Sequence, residues 1–320
     1  MKIAFVFPGQ GSQHTGMGCE IVSVSRGALQ AFEMAQGILG IDIYSLCRDG
    51  GEMLEKTEYT QPAVLTVELA STVALFEKGI SPQVVAGHSL GEYAALVAAG
   101  VLTFEDALEL VRVRGILMGQ VSAEVDGGMV AVLGVPEDKL EDLLEWARDY
   151  GCIEISNYNA PGQVVLSGER KALDFLEENA KEFGARRAVR LSVSGPFHSS
   201  LMKDAADEFS RVVSRTRFKL PCIPVISNYD ASPHEDTAEL RENLVRQLIN
   251  PVRWMQSVET MVSMGVELFV EVGPGNVLSG LIKRCVPGTR VFSVGTSAEI
   301  GELANFLGQG IEKRSLAIES

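Results

Sequence analysis

Apolar and polar positions along the 320 residues change period several times, and each change marks an element. Ile3 to Phe7 is a continuous apolar run closed by Pro8-Gly9, which predicts a buried first strand. Thr60-Gln61-Pro62 opens a helical pattern that runs through Phe76 and breaks at Gly79. Val84 to Ala86 predicts a second buried strand, and Leu90 to Ala99 a helix of good formers ending at Gly100. Thr103 caps the next helix, with Glu105 and Asp106 in its first turn, where the dipole favours anions. Its apolar stripe is Ala107, Leu110, Val111, Leu117, Met118 and Val121.

From Gly128 the period shortens. Met129 to Val135 predicts a strand, Pro136 to Tyr150 a helix and Cys152 to Asn157 a strand. After a turn at Asn159-Ala160-Pro161-Gly162 come a strand over Gln163 to Ser167, a helix over Glu169 to Phe183 and a strand over Arg187 to Val193. The order β-α-β-β-α-β is that of a ferredoxin-like unit. The chain returns through Ser194-Gly195-Pro196-Phe197-His198-Ser199, then a helix to about Val213 and a strand near Ile223 to Ile226. Leu240 to Met261 is helical with an interruption at Pro251. Strands follow at Glu267 to Val272 and Arg290 to Val294, and a polar tail from Glu312 is expected to fray. The predicted fold is α/β: a hydrolase-like large subdomain, residues 1–126 and 195–320, with a mostly parallel sheet. A ferredoxin-like small subdomain, residues 127–194, is inserted in it.

Composition narrows the function classes. The net charge of −14 argues against nucleic acid, whose affinity rests on Lys and Arg at phosphates. The longest nearly apolar stretch, Ala94 to Phe104, is far below the ~20 residues of a membrane span. Ile3 to Phe7 is shorter than a signal-peptide core of roughly 7–15 residues. The cysteines, five and scattered with no C-x-x-C pair, predict a reduced, cytoplasmic protein without a zinc site.

The chemistry centres on Gly87-His88-Ser89-Leu90-Gly91. This G-x-S-x-G lies between the second strand and a helix, the context of a nucleophile elbow that lifts a serine above the sheet edge. The N–H of Leu90 is then placed to receive an oxyanion. A serine nucleophile needs a base, and four histidines are available. His88 neighbours the serine on a strand end and points away from it. His234 sits in a polar turn that reads as solvated surface. His198, flanked by Gly195-Pro196 before a new helix, is favoured, while His14 in the first glycine loop stays open. No acid near His198 stands out as a third member. That loop, Gly9-Gln10-Gly11, lacks the third glycine of a dinucleotide fingerprint and reads as backbone lining a crevice. Arg114 lies in the middle of the apolar stripe. A structural ion pair or snorkelling side chain and an arginine awaiting a substrate carboxylate are equally compatible with that spacing.

Taken together, several stretches resemble the malonyl-CoA:acyl carrier protein transacylase family over nearly the whole chain. They are Pro8-Gly9-Gln10-Gly11-Ser12-Gln13, Thr60-Gln61-Pro62-Ala63, Gly87-His88-Ser89-Leu90-Gly91-Glu92 and Val111-Arg112-x-Arg114-Gly115. Asn159-x-Pro161-Gly162-Gln163, Phe197-His198-Ser199, Gln247-x-x-x-Pro251-Val252-x-Trp254 and Glu271-x-Gly273-Pro274-Gly275 complete the set. The resemblance implies that Ser89 is acylated with His198 as its base, and that the N–H groups of Gln10 and Leu90 form the oxyanion hole. It also implies that Arg114 binds the malonyl carboxylate and that a carbonyl at Gln247 orients the histidine. Gln61, Met118, Phe197 and Asn159 would line the substrate site, with the Phe197 ring limiting a branched α-carbon. Asn276 stands where the family commonly has lysine.

The implied substrates are malonyl-CoA, a coenzyme A thioester, and acyl carrier protein bearing phosphopantetheine, with no permanently bound cofactor or metal. A monomer is expected. Basic residues that could dock the acidic carrier are Arg186, Arg187 and Arg190, and Lys283 with Arg284. Malonyl loading for polyketide synthesis, a serine esterase or thioesterase of α/β-hydrolase type, and a non-catalytic carrier-binding module are the alternatives.

Overall fold

A computed structural model describes residues 1–318. The chain begins with β1 (Ile3–Phe7), α1 (Cys19–Val24), α2 (Arg26–Leu39), α3 (Ile43–Asp49) and α4 (Thr57–Glu77). It continues through β2 (Val84–Gly87), α5 (Gly91–Ala98) and α6 (Phe104–Glu124). Next come β3 (Gly127–Leu133), α7 (Glu137–Arg148), β4 (Ile153–Ala160), β5 (Gln163–Glu169), α8 (Arg170–Asn179) and β6 (Arg187–Arg190). The last part holds α9 (Lys203–Arg215), β7 (Val225–Ile226), β8 (Pro233–His234), α10 (Thr237–Arg246) and α11 (Trp254–Ser263). It closes with β9 (Leu268–Val272), α12 (Val277–Cys285), β10 (Arg290–Val294) and α13 (Ser297–Ile318).

The larger sheet has the order β10-β9-β1-β2-β7-β8, parallel except for the last pair. Helices cover both faces of its centre, which is why β1, β2 and β9 are buried at every residue; β1 and β2 read as unbroken apolar runs, and β9 is interrupted only by the buried Glu271. One core, with Phe5, Phe7, Leu65 and Phe209, fills one face. The other face is filled by Ala4, Val6, Trp254 and Phe269. The smaller sheet is antiparallel in the order β4-β5-β3-β6. Its strands alternate. Val130 and Val132 pack under α7 and α8, while Met129 and Val165 face the other way, against Met118 and Val121 of α6 and Phe197. A bridge between Asn157 and Val252 ties β4 to the segment before α11. The crevice between the sheets therefore lies beyond the C-terminal ends of β1 and β2, where loops of an open α/β sheet gather ligands.

Several elements differ from the sequence expectation. Helices α1 to α3 occupy a stretch to which the periodic reading gave no element, although Ala28, Ala31, Phe32, Ala35 and Leu39 form a buried helical stripe. The stripe is built mainly of alanine, which carries little hydrophobic contrast. Strand β4 runs through Asn159 and Ala160 with two register shifts, so the turn narrows to Pro161-Gly162. The Leu240 to Met261 pattern divides into α10, a 3₁₀ turn over Gln247–Ile249, and α11, because proline at 251 cannot donate within a helix. The tail from Glu312 is helical to Ile318, since no proline interrupts it; the final two residues lie outside the described residues. Among the described residues no helix is long and apolar enough to cross a membrane.

Candidate active site

Two glycines set the geometry of the turn after β2. A Cβ on Gly87 would lie 1.9 Å from the Gly91 carbonyl carbon, and one on Gly91 would lie 2.1 Å from the Phe7 oxygen. Only glycine allows three backbone segments to approach so closely. Between them Ser89 has φ 52°, a left-handed conformation that non-glycine residues adopt rarely. His198 has φ 58°, and these are two of the three non-glycine residues with positive φ among those described. Ser89 and His198, which meet at the site, thus both have strained backbone.

Ser89 Oγ lies 2.7 Å from His198 Nε2. On the far side of the ring, His198 Nδ1–H donates to the Gln247 carbonyl at 2.7 Å. A carbonyl can only accept, so Nδ1 carries the proton and Nε2 is the bare nitrogen facing the serine. Burial, reinforced by the Arg114 charge, pushes the His198 pKa down to about 3, against the pull of the Gln247 bond. His14 is exposed, with Nδ1 3.1 Å from the Thr15 carbonyl.

Arg114 projects from α6 to the same oxygen. Its guanidinium donates to Ser89 Oγ at 3.0 Å, to Gln247 Oε1 at 3.0 Å and to Gln61 Oε1 at 2.8 Å. The Tyr93 ring centroid lies 5.7 Å from its carbon. The residue is 1% exposed, so it does not snorkel, and among the described residues no carboxylate forms an ion pair with it. Burial lowers its pKa, opposed by Tyr93 and Glu92. A cation held this way is short of an anion.

These groups open into a cavity of about 520 Å³ lined by the Gly9–Gln13 loop, Ser89, His198, Arg114, Met118 and Phe197. Asn159 also lines it, with Oδ1 2.9 Å from His88 Nε2. Gln10 reaches the rim, where its amide donates to Thr57 Oγ1 at 2.9 Å. Gln61 Nε2 contacts Met118 Sδ at 3.5 Å, beneath the arginine. Leu90 is buried under the turn.

His234, expected on the surface, is buried at 7% exposure. Its Nδ1 lies 2.8 Å from Glu239 and its Nε2 2.9 Å from Asp230. Those two carboxylates satisfy the ring and let β8 pack on β7. Of the basic residues considered for docking, Arg190 is engaged by Asp174 and Glu177. Arg186, Arg187, Lys283 and Arg284 are exposed.

Sequence reasoning missed Glu92 and Asn228, both buried. Glu92 accepts from Gln247 Nε2 at 2.6 Å and from the Asn228 N–H at 3.2 Å. Asn228 Oδ1 accepts the Ser89 N–H at 2.6 Å. Glu92 is hidden because an acid in a first helical turn already has a dipole explanation. Asn228 is hidden because Ser227-Asn228-Tyr229-Asp230 reads as an ordinary turn.

Residues 4–304 match the sequence profile of the acyl transferase domain family. The chain belongs to that family. A malonyl CoA-acyl carrier protein transacylase of Bacillus subtilis is 44% identical over 285 residues, 88% of this chain and 90% of that protein. Among solved acyltransferase structures, the malonyl CoA-acyl carrier protein transacylase of Coxiella burnetii superposes with TM-score 0.92 at 39% identity, covering 95% of this chain and 97% of that one. A malonyl-transacylase solved in complex with a type II polyketide synthase acyl-carrier protein superposes with TM-score 0.91 at 40% identity, covering 94% and 98%.

Proposed function

We propose that this acyltransferase moves the malonyl group of malonyl-CoA to the phosphopantetheine thiol of an acyl carrier protein through a malonyl-Ser89 ester, supplying extender units for fatty acid synthesis. The observation that carries the reading is the buried Arg114, without a carboxylate partner among the described residues and touching the same Ser89 oxygen as His198. Chain-length identity to proteins bearing that activity in their names supports it.

The turn carrying Ser89 is read as a nucleophile elbow, and β3 to β6 as a ferredoxin-like unit of residues 127–194. His198 Nε2 takes the Ser89 proton as Oγ attacks the thioester carbon. The carbonyl oxygen gains the charge and is received by the N–H groups of Gln10 and Leu90. The C–S bond then breaks, His198 returns the proton to the departing thiolate, and free coenzyme A leaves. In the second half the carrier thiol gives its proton to His198 and attacks the ester carbon, the C–Oγ bond breaks, and His198 returns the proton to Ser89 Oγ. This is ping-pong covalent catalysis. Burial is the main reason that the His198 pKa is low and the Arg114 charge the second; the malonyl carboxylate neutralises Arg114 and lifts that second contribution, so the correct acyl group strengthens its own base.

A serine hydrolase with a Ser…Asp/Glu…His triad would offer an acid at His198 Nδ1, where a carbonyl accepts instead. Cytoplasmic location and action without a resident cofactor go with this reading. The test is transfer from malonyl-CoA to purified holo-carrier protein: malonyl-carrier must accumulate, and net hydrolysis without transfer refutes the proposal.

A further inference from the structure

The cavity wall contains Ser89, His198 and Arg114 but not the residues behind them. Asn228, Glu92 and Gln247 are all buried, come from separate parts of the chain and do not themselves line the cavity. We infer that Asn228 and Glu92 are positioning residues that bind the serine turn, the histidine and the arginine into one hydrogen-bonded unit. This rests on the reading of Ser89 as the nucleophile.

Asn228 acts on the turn itself. Its Oδ1 accepts the Ser89 N–H at 2.6 Å, and its Nδ2 donates to the Gly87 carbonyl. One carboxamide therefore bridges the peptide groups on either side of His88. That is the stretch in which the chain must leave a strand and enter the left-handed conformation of Ser89. A strained backbone persists only where its surroundings over-determine it, and this bridge supplies that determination.

Glu92 acts one step further out. Its Oε2 accepts the Asn228 N–H and the Gln247 Nε2–H. Gln247 Nε2 also donates to the Ser89 carbonyl at 3.0 Å. With Nε2 facing two oxygens, Gln247 Oε1 must face the other way, toward Arg114, which donates to it at 3.0 Å. The same residue's carbonyl holds His198 Nδ1. A flipped Gln247 amide would set its oxygen against the Glu92 carboxyl and the Ser89 carbonyl, and present N–H groups to a guanidinium that needs acceptors. Glu92 thus decides which way the amide points, and so the orientation of the Arg114 guanidinium that donates to it.

The inference is tested by single-turnover acylation of Ser89 with malonyl-CoA and, in parallel, by the rate of Ser89 labelling with a fluorophosphonate, which needs no carboxylate recognition. In Asn228→Ala and Glu92→Ala both rates fall by about 10²-fold per folded molecule, the scale of a small misplacement of reacting groups, while the KM for malonyl-CoA hardly moves. Glu92→Gln keeps an acceptor oxygen and retains most of the rate. Labelling of the parent with unchanged labelling of Asn228→Ala and Glu92→Ala overturns the inference alone. So does a loss confined to KM or to melting temperature. If Asn228→Ala does not fold, the Glu92 pair decides, since equal rates for Glu92→Gln and Glu92→Ala refute the positioning role. A parent that neither labels nor acylates refutes the nucleophile, and this inference with it.

Discussion

Replacing Arg114 with alanine separates recognition from folding most sharply. Among the described residues the guanidinium makes three hydrogen bonds, all to neutral acceptors. Binding malonyl exchanges at least two of these for bonds to a carboxylate. Bonds to charged groups contribute about 1.5–3 kcal/mol each; two guanidinium–carboxylate bonds, less what the bonds to neutral oxygens gave, leave a gain on the order of 3 kcal/mol. At about 1.4 kcal/mol per decade, Arg114→Ala lowers kcat/KM for malonyl-CoA by about 10²-fold. Acetyl-CoA presents no carboxylate and forfeits none of this. It gains from the change, because the positive charge that helps hold the His198 pKa down is gone. Acetyl transfer therefore holds or rises, and the donor preference inverts. The melting temperature moves little: three hydrogen bonds are lost, but so is the desolvation of a buried unpaired cation. The assay is kcat/KM for both acyl-CoA donors with purified carrier protein, alongside thermal unfolding. Equal losses for the two donors, with a sharp fall in melting temperature, would refute the carboxylate role and make Arg114 a structural residue.

Ser89→Ala leaves the fold intact and abolishes the covalent intermediate, so intact-protein mass after mixing with malonyl-CoA shows one adduct on the parent and none on the variant. Because the His198 pKa is lowered to about 3 in the folded protein from an ordinary 6.5, the unfolded chain binds more protons between those values. Stability from this group is thus full above about pH 6.5 and is lost as pH falls toward 3, a window that His198→Gln should flatten in acid-unfolding curves. Gly91→Ala places a methyl group 2.1 Å from the Phe7 oxygen, against backbone that cannot yield cheaply. It should lower stability by more than the ~1–3 kcal/mol of ordinary overpacking and remove acylation; normal acylation and stability would exclude the close approach. Charge reversal at Arg187, Lys283 and Arg284 raises the carrier-protein KM and weakens its salt dependence, whereas an unchanged KM places docking elsewhere.

The local chemistry was legible in the sequence because it depends on neighbours in the chain. The G-x-S-x-G stretch between an apolar run and a helix needs glycines at Gly87 and Gly91 wherever backbone must pass that close. Side-chain order placed every strand but β8 and the helices α4 to α9, since burial on one face or both is written into it; α2 and α13 were not placed, and α10 and α11 were read as one interrupted stretch. Arg114 was visible as an oddity on an apolar stripe, but its spacing could not say whether an acid waited nearby. Only the assembled fold decided that it has no ion-pair partner among the described residues and touches Ser89 and Gln247, which lie 25 and 133 residues away. The same holds for His198, favoured by elimination and brought to Ser89 by sheet topology. Asn228 and Glu92 were invisible for a related reason: their value lies entirely in bonds across 136 to 155 residues, which no local pattern records. His234 failed in the opposite direction. Its polar neighbours suggested solvent, yet Asp230 and Glu239 are the partners that allow it to be buried. Sequence order fixes what each segment can do; which distant group answers each buried donor, acceptor or charge is settled only when the chain closes on itself.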